Sequence, residues 1–298
     1  MPSKTTTILA YPGALQSAVF GLQDFLSHTG LNPKIVTNSA EFGSKSDAIL
    51  LPPAAQSVNP QAHPDLLNGL KAAAESGALI CSACVGVTWI AAAGLDAGRA
   101  VTTHWGVAPQ LRKDWPQLHV DTDQLVIEHQ NLVTAGGMMA WVDLALIVIE
   151  RLAGHEVMLN TARHFVVEPV RRDQRRFQRF RPILDHGDAQ VLRTQTLLER
   201  VLDQPISVSN LAQNAGLSER SLQRRFSAAT GLNLTRYLQN LRMERAKSLL
   251  ADSRIPVAEV AARSGYSDLP AFHRVFSRIT GMTPAGFRKS VWSQHTTS

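Results

Sequence analysis

Apolar positions in the first half of the chain follow two alternating rhythms. Short apolar runs from Thr6 to Tyr11, Pro33 to Val36, Asp47 to Leu51 and Ala78 to Ser82 have the length and composition of buried strands. Between them, Val19, Leu22 and Phe25-Leu26, then Leu66-Leu67 and Leu70, recur at three- and four-residue spacing and mark helices that stop at Gly30 and Gly77. A helix over Gly86 to Ala93 follows the fourth run. Strands near Ala100 to Thr103, Val120, Leu125 to Glu128 and Leu132 to Ala135 come next, and a long helix from Met139 to Leu152 closes this half. Such alternation predicts a sheet with a parallel core and helices on both faces, with any ligand beyond the carboxyl ends of the strands.

The second half is helical and contains one pattern twice. Leu211-Ala212, Gly216-Leu217-Ser218, Leu222, Arg224, Phe226 and Thr230-Gly231 are matched by Val260-Ala261, Gly265-Tyr266-Ser267, Phe272, Arg274, Phe276 and Thr280-Gly281. The offset is 49 residues up to the serines and 50 from the phenylalanines onward, so the second copy holds one extra residue. Each copy predicts a helix, a tight turn at glycine, and a second helix that Ser218 or Ser267 can cap, the logic of a helix-turn-helix. Leu222 and Phe226 take the buried face of the first copy's second helix, which leaves Arg220, Gln223 and Arg224 on another face. Pro270, His273 and Arg274 hold the corresponding places in the second copy, Pro270 being tolerable in a first helical turn. Between the copies, Leu234, Leu238, Leu241 and Leu249 predict one apolar side of a connecting helix that holds the two units apart.

Composition sharpens this division. The chain has 298 residues, enough for two domains, and a net charge of +6 that is unevenly placed. Gly187 to Ser298 holds 15 Lys and Arg against 8 Asp and Glu, whereas the preceding residues hold 15 against 16. The positive charge therefore coincides with the double helix-turn-helix and fits double-stranded DNA as partner. No apolar stretch approaches the length of a membrane span and no signal peptide is evident, so a cytoplasmic location without membrane association is expected. Glu168 to Gly187, with Arg171-Arg172, Arg175-Arg176, Arg179 and Arg181, reads as an exposed linker or as an arm folded over the first domain.

The carboxyl ends of the predicted strands hold the candidate chemistry. The strand ending at Ser82 turns abruptly at Ala83-Cys84-Val85-Gly86 into a helix, the shape of a nucleophile elbow with cysteine in the central place. His104 and Trp105 follow another strand, and Gly136-Gly137 and Met138-Met139 precede the helix that carries Asp143. A thiol at such an elbow serves as nucleophile, as one wall of a ligand pocket or as a purely structural cysteine; Cys81, on the strand itself, belongs to the core. These two cysteines do not make a disulfide framework and have no second pair at zinc-site spacing, although in a redox enzyme their spacing would suggest a dithiol.

The order elbow cysteine, Ala93 to Arg99, Thr102-Thr103-His104, Gly136-Gly137 and Asp143 to Leu146 resembles the PfpI/ThiJ branch of the class I glutamine amidotransferase-like fold, over about residues 4 to 165. That resemblance implies an α/β, flavodoxin-like first domain. Catalytic members pair the cysteine with a histidine and an acidic residue on the first helix, where this chain has Ala18. Where relatives have Leu-Pro-Gly-Gly, it has Leu51-Pro52-Pro53-Ala54, and proline offers no N–H to an oxyanion. Binding is therefore favoured over hydrolysis, with Cys84, Val85, His104, Trp105, Gly137 and Met138 as the pocket; an enzyme would instead use Cys84, His104 and Asp143.

Residues 188 to 290 resemble the AraC/XylS family, through the paired motif, Leu241 to Ala246, Gly265 to Asp268 and Gly281 to Pro284. The resemblance implies an all-α domain with two helix-turn-helix units and assigns DNA contact to Arg220, Gln223, Arg224, Pro270, His273, Arg274, Arg242 and Arg278. Together the two likenesses imply a sensing and dimerisation domain at 1–167, a linker at 168–187 and a DNA-binding domain at 188–298. They also imply a homodimeric transcriptional activator answering to a small amino-acid-derived or quaternary amine effector, with RNA polymerase as a further partner and neither cofactor nor metal.

Overall fold

The computed structural model describes residues 4–38, 41, 46–169, 173–204 and 206–292. Arg171 and Arg172 of the arginine run and the last residues of the expected DNA-binding domain lie outside these. The chain divides into two compact units between Gln174 and Arg175.

The first unit is a six-stranded sheet flanked by helices. In chain order it contains β1 (Thr5–Leu9), α1 (Gln16–Ser27), β2 (Asn32–Val36), β3 (Ala48–Leu51), α2 (Pro64–Glu75), β4 (Leu79–Ala83) and α3 (Val87–Ala93). It continues with α4 (Ala108–Asp114), β5 (Val126–Glu128), β6 (Leu132–Ala135), α5 (Trp141–Ala153) and α6 (His155–His164). The strand order is β2-β1-β3-β4-β6-β5. All pairings are parallel except β5 with β6, whose three-residue connection is too short for a crossover. β3, β4 and β6 are buried along their whole length, as strands covered on both faces must be, and this is why they read as unbroken apolar runs. The order reverses between β1 and β3, and Tyr11, Pro52 and Cys84 lie just past the ends of β1, β3 and β4, at the switch point where sheets of this kind form a ligand crevice.

Two expectations for this unit need correction. Ala100 to Thr103 forms only an isolated parallel bridge, Val101 to Val120, because Thr102 and Thr103 bond through their side chains. Nor does the helix at Leu152 close the unit: Gly154, at φ +99°, turns the chain into α6.

The second unit contains α7 (Ala189–Arg200), α8 (Val208–Ala215), α9 (Glu219–Thr230), α10 (Leu234–Asp252), α11 (Val257–Arg263), α12 (Leu269–Thr280) and α13 (Pro284–Trp292). It has two separate cores, and α10 belongs to both. Leu234, Tyr237 and Leu241 enter the first core, and Met243, Ala246 and Leu250 the second. The two-residue step from Leu241 to Met243 turns the buried stripe by roughly 200° around the helix. The single apolar side expected of this helix is thus two stripes facing opposite ways, with Leu238 packed on one core and Leu249 on the other.

The repeat is longer than its motif. Val191 and Leu198 of α7 serve the first core as Met243 and Leu250 of α10 serve the second, and α13 has the place after α12 that α10 has after α9. Thr230 and Thr280 make the same paired bonds at the helix ends, to the carbonyls of Phe226 and Leu232 and of Phe276 and Met282. Asn233 then caps α10, and Thr283 accepts the N–H of Gly286 in α13.

The arginine-rich stretch is not a solvated connector where it is described. Arg175–Phe177 forms a 3-10 turn, Phe180 packs edge-on against Tyr237, and Gln195 donates to the carbonyl of Ile183. The start of the stretch is held on the first unit, where Gln174 bonds to Thr103 and Asp173 bridges Gln124, and from Arg175 onward it is an arm folded onto the helical unit.

Candidate functional site

Cys84 stands between β4 and α3 with φ +53°, a left-handed conformation that costs a non-glycine residue about 1–2 kcal/mol. The elbow shape expected from the sequence is thus present. Its carbonyl accepts the hydroxyl of Thr103 at 2.8 Å, and its Sγ lies 3.9 Å from Sδ of Met138. The thiol is 2% exposed, and burial raises its pKa, an effect only partly offset by N–H groups of Val85, His104 and Gly137. A thiol shifted upward from its usual value near 8.5 stays protonated at neutral pH. Cys81 is fully buried in β4 and its pKa is also raised by burial.

The other expected residues divide into backbone and side-chain roles. Val85, His104 and Gly137 act on the thiol through their backbone N–H groups, which favour its charged form. The His104 imidazole turns to its own loop, where Nδ1 accepts the N–H of Gly106 at 3.0 Å and the ring lies 5.0 Å from that of Trp105. Burial lowers the His104 pKa, which keeps the ring neutral. Trp105 is half-buried and Asp143 is buried in the first turn of α5, whereas Met139 is 63% exposed.

Tyr11 is a member of this crevice that the sequence reading misses. Its hydroxyl donates to the carbonyl of Pro52, its ring lies 5.3 Å from Trp89, and burial, with the nearby Cys84, raises its pKa. The Pro53 carbonyl accepts the N–H of Leu15 at 2.8 Å. Both carbonyls are thus taken up within the protein, and neither proline has an N–H to offer an oxyanion. Thr103 is the other omission: Thr102-Thr103 is legible only as the approach to His104, yet it is Thr103 that holds the elbow.

In the helical unit, Leu222, Phe226 and Thr230 are buried and Arg220, Gln223 and Arg224 are exposed along α9. Among the described residues, these three exposed side chains carry no hydrogen bond or ion pair. Their neighbour Arg225 does the opposite, clamping Asp188 at 2.7 and 2.9 Å while Asp188 caps α7. On α12, Pro270 and Arg274 are exposed and His273 is half-buried. Arg278 is exposed too, with its guanidinium on Gln239 at 2.7 Å.

Arg242 does not join this surface. Its Nε and Nη2 donate to the carbonyls of Leu202 and Gln204 at 2.9 and 3.0 Å, and its guanidinium lies over the Tyr266 ring. It fastens the loop before α8 to the turn of the second unit. Gly265 makes room for it: a Cβ there would lie 2.2 Å from the Leu202 carbonyl and 2.7 Å from Arg242 Nε.

Comparison with known proteins matches residues 27–151 to the DJ-1/PfpI family and residues 211–290 to a helix-turn-helix domain. The chain joins a DJ-1/PfpI domain to an AraC-type helix-turn-helix domain. It is 28% identical over 222 residues to the HTH-type transcriptional regulator GbdR of Pseudomonas aeruginosa, covering 74% of this chain and 60% of that one. It is 29% identical to the HTH-type transcriptional regulator ArgR of the same species, over 74% and 67% of the two chains. The match thus spans about 60% of the length of GbdR. The DJ-1/PfpI domain is also similar to DJ-1beta of Drosophila melanogaster, at 23% identity and a TM-score of 0.48, covering 56% of this chain and 99% of that one. Among the described residues, no helix is long and apolar enough to cross a membrane, and no cluster of three metal-ligating side chains occurs.

Proposed function

We propose that this protein is a DNA-binding transcriptional regulator whose DJ-1/PfpI domain binds a small-molecule effector and carries out no reaction. The observation that carries the proposal is that Arg220, Gln223 and Arg224 are exposed, and unengaged among the described residues, on a helix whose opposite face is fixed in a core. Three long polar side chains on a rigid helix suit base edges in a major groove, with Arg or Lys on guanine and Gln on adenine. Pro270, His273, Arg274 and Arg278 form the second contact surface, while Arg242 acts inside the domain. The names of GbdR and ArgR as transcriptional regulators support this reading.

The protonated thiol, the neutral His104 and the prolines at 52 and 53, which have no N–H, support a binding pocket over a catalytic centre. The effector is a small metabolite seated at Cys84, Val85, His104, Trp105, Gly137 and Met138, with the Trp105 ring offering a face to an amine cation. A homodimer acting as an activator with RNA polymerase, in the cytoplasm, completes the proposal. Effector control then requires that the ligand favour the DNA-competent arrangement by differential affinity.

The test is DNA binding by Arg220→Ala and Arg224→Ala at several salt concentrations. A base reader loses about 1–3 kcal/mol on the specific site and little elsewhere, while a phosphate contact weakens every sequence and flattens the salt slope. Unchanged binding in both variants would sink the proposal. Turnover of a metabolite that Cys84→Ala abolishes would refute the non-catalytic part alone.

A further inference from the structure

We infer that Gln174 and the turn after it pass the state of the Cys84 crevice to the second helix-turn-helix unit, an inference that rests on the ligand-controlled reading above. Gln174 is the last residue of the first unit and only 2% exposed. Its Nε2 lies 2.9 Å from the Thr103 carbonyl and 3.1 Å from both Thr102 Oγ1 and the Gln124 carbonyl. Gly136 leaves the space for it, since a Cβ there would meet that nitrogen at 2.4 Å. Thr103 in turn holds the Cys84 carbonyl through its hydroxyl, and the next residue is His104, itself a member of the proposed pocket. The amide is thus seated one residue from the proposed pocket.

On the other side the chain is fixed almost at once. Arg175 donates to the carbonyl of Arg278 near the end of α12, in the 3-10 turn Arg175–Phe177. The Gln178 carbonyl accepts Nζ of Lys247 at 2.7 Å, and the Phe180 N–H donates to Glu244, both partners on the half of α10 that serves the second core. Lys247 is 8% exposed and paired with Glu244 at 2.8 Å, an anchor that solvent does not readily loosen. A ligand that displaces Thr103 or His104 must therefore expel the Gln174 amide or pull on the turn. The amide, seated or expelled, is the two-state element that such coupling needs.

Coupling between equilibria is reciprocal, so DNA serves as the probe, and the alkylation rate of the buried Cys84 reports how often its surroundings open. DNA selected from a random pool is bound to the full chain, and alkylation of Cys84 by iodoacetamide is followed by peptide mapping that separates it from Cys81. Saturating DNA changes the Cys84 rate by about fivefold, the low end of ordinary coupling. Inserting Gly-Ser-Gly-Ser between Gln174 and Arg175 leaves both anchors in place and abolishes the change, with DNA affinity held within about twofold. Gln174→Ala has the same effect, and the insertion carries the test if that variant does not fold. A rate change that survives the insertion overturns the inference, as does a native chain that binds DNA with no response at Cys84. Failure of the full chain to select any DNA would instead overturn the regulator reading, and this inference with it.

Discussion

The two helix-turn-helix units share a frame but not a face. Leu222, Phe226 and Thr230 of α9 and Phe272, Phe276 and Thr280 of α12 are buried at the same spacing in helices of the same 12-residue length. On the outer face, Arg220, Gln223 and Arg224 become Pro270, His273 and Arg274, and the internal clamp of Arg225 has Val275 in its place. Packing constrains the inner positions in common, whereas each outer position changes without disturbing the core. In the proposed function the first unit carries most of the base readout, because Pro270 brings no hydrogen-bonding side chain, and the second contributes placement.

The strongest way to break this comparison is through the frame. Phe226→Ala and Phe276→Ala each remove a fully buried ring and are expected to cost about 3–5 kcal/mol, by similar amounts, in denaturant unfolding of the helical domain. A large difference between them would show that the two cores are not equivalent. The turn glycines are expected to differ instead. Gly216 has φ +66° and open space at its Cβ position, so Gly216→Ala costs about 1–2 kcal/mol from conformation alone. Gly265→Ala adds a collision with the Leu202 carbonyl and Arg242 and must cost clearly more. Equal losses would mean that Arg242 moves aside freely.

Much of this was open to a reading of the chain, and the limits have physical causes. Core positions four apart identify α9 and α12, because helical periodicity reflects burial directly. The two stripes of α10 are less legible, since one helix serving two cores has no single apolar side. Cys84 is marked by its sharp strand-to-helix turn. Tyr11, Thr103 and Gln174 are not, because their roles depend on partners 41, 19 and 71 residues away. Arg242 misleads for a related reason: an arginine bonded to carbonyls inside a domain and one facing a phosphate are identical in sequence.

The helix caps distinguish the units on a smaller scale. Ser218 accepts the N–H of Ser221, while the extra residue in the second copy moves the cap from Ser267 to Asp268, whose side chain makes no capping bond. Asp268 lies instead 3.9 Å from Arg274 at the surface. Ser218→Ala is expected to cost about 1 kcal/mol in thermal unfolding, and Asp268→Ala much less. A loss at Asp268 equal to that at Ser218 would restore the symmetry of the two turns.

The smallest expected difference is one of pH. The bonds from Arg225, helped by the Val191 and Gln190 N–H groups, hold the Asp188 carboxyl below its usual range. A carboxyl with a lowered folded-state pKa contributes stability that is fully present above its unfolded value, near 3.9, and is lost as pH falls through the folded value. Asp188→Asn retains a good helix cap but removes the ion pair. Thermal unfolding of the native chain and this variant should therefore differ at neutral pH and converge below about pH 4. A gap that stays constant into acid would mean that the pair contributes nothing. The second unit, with Val275 where the first has Arg225, lacks this clamp, so the acid sensitivity belongs to the unit that carries the proposed readers.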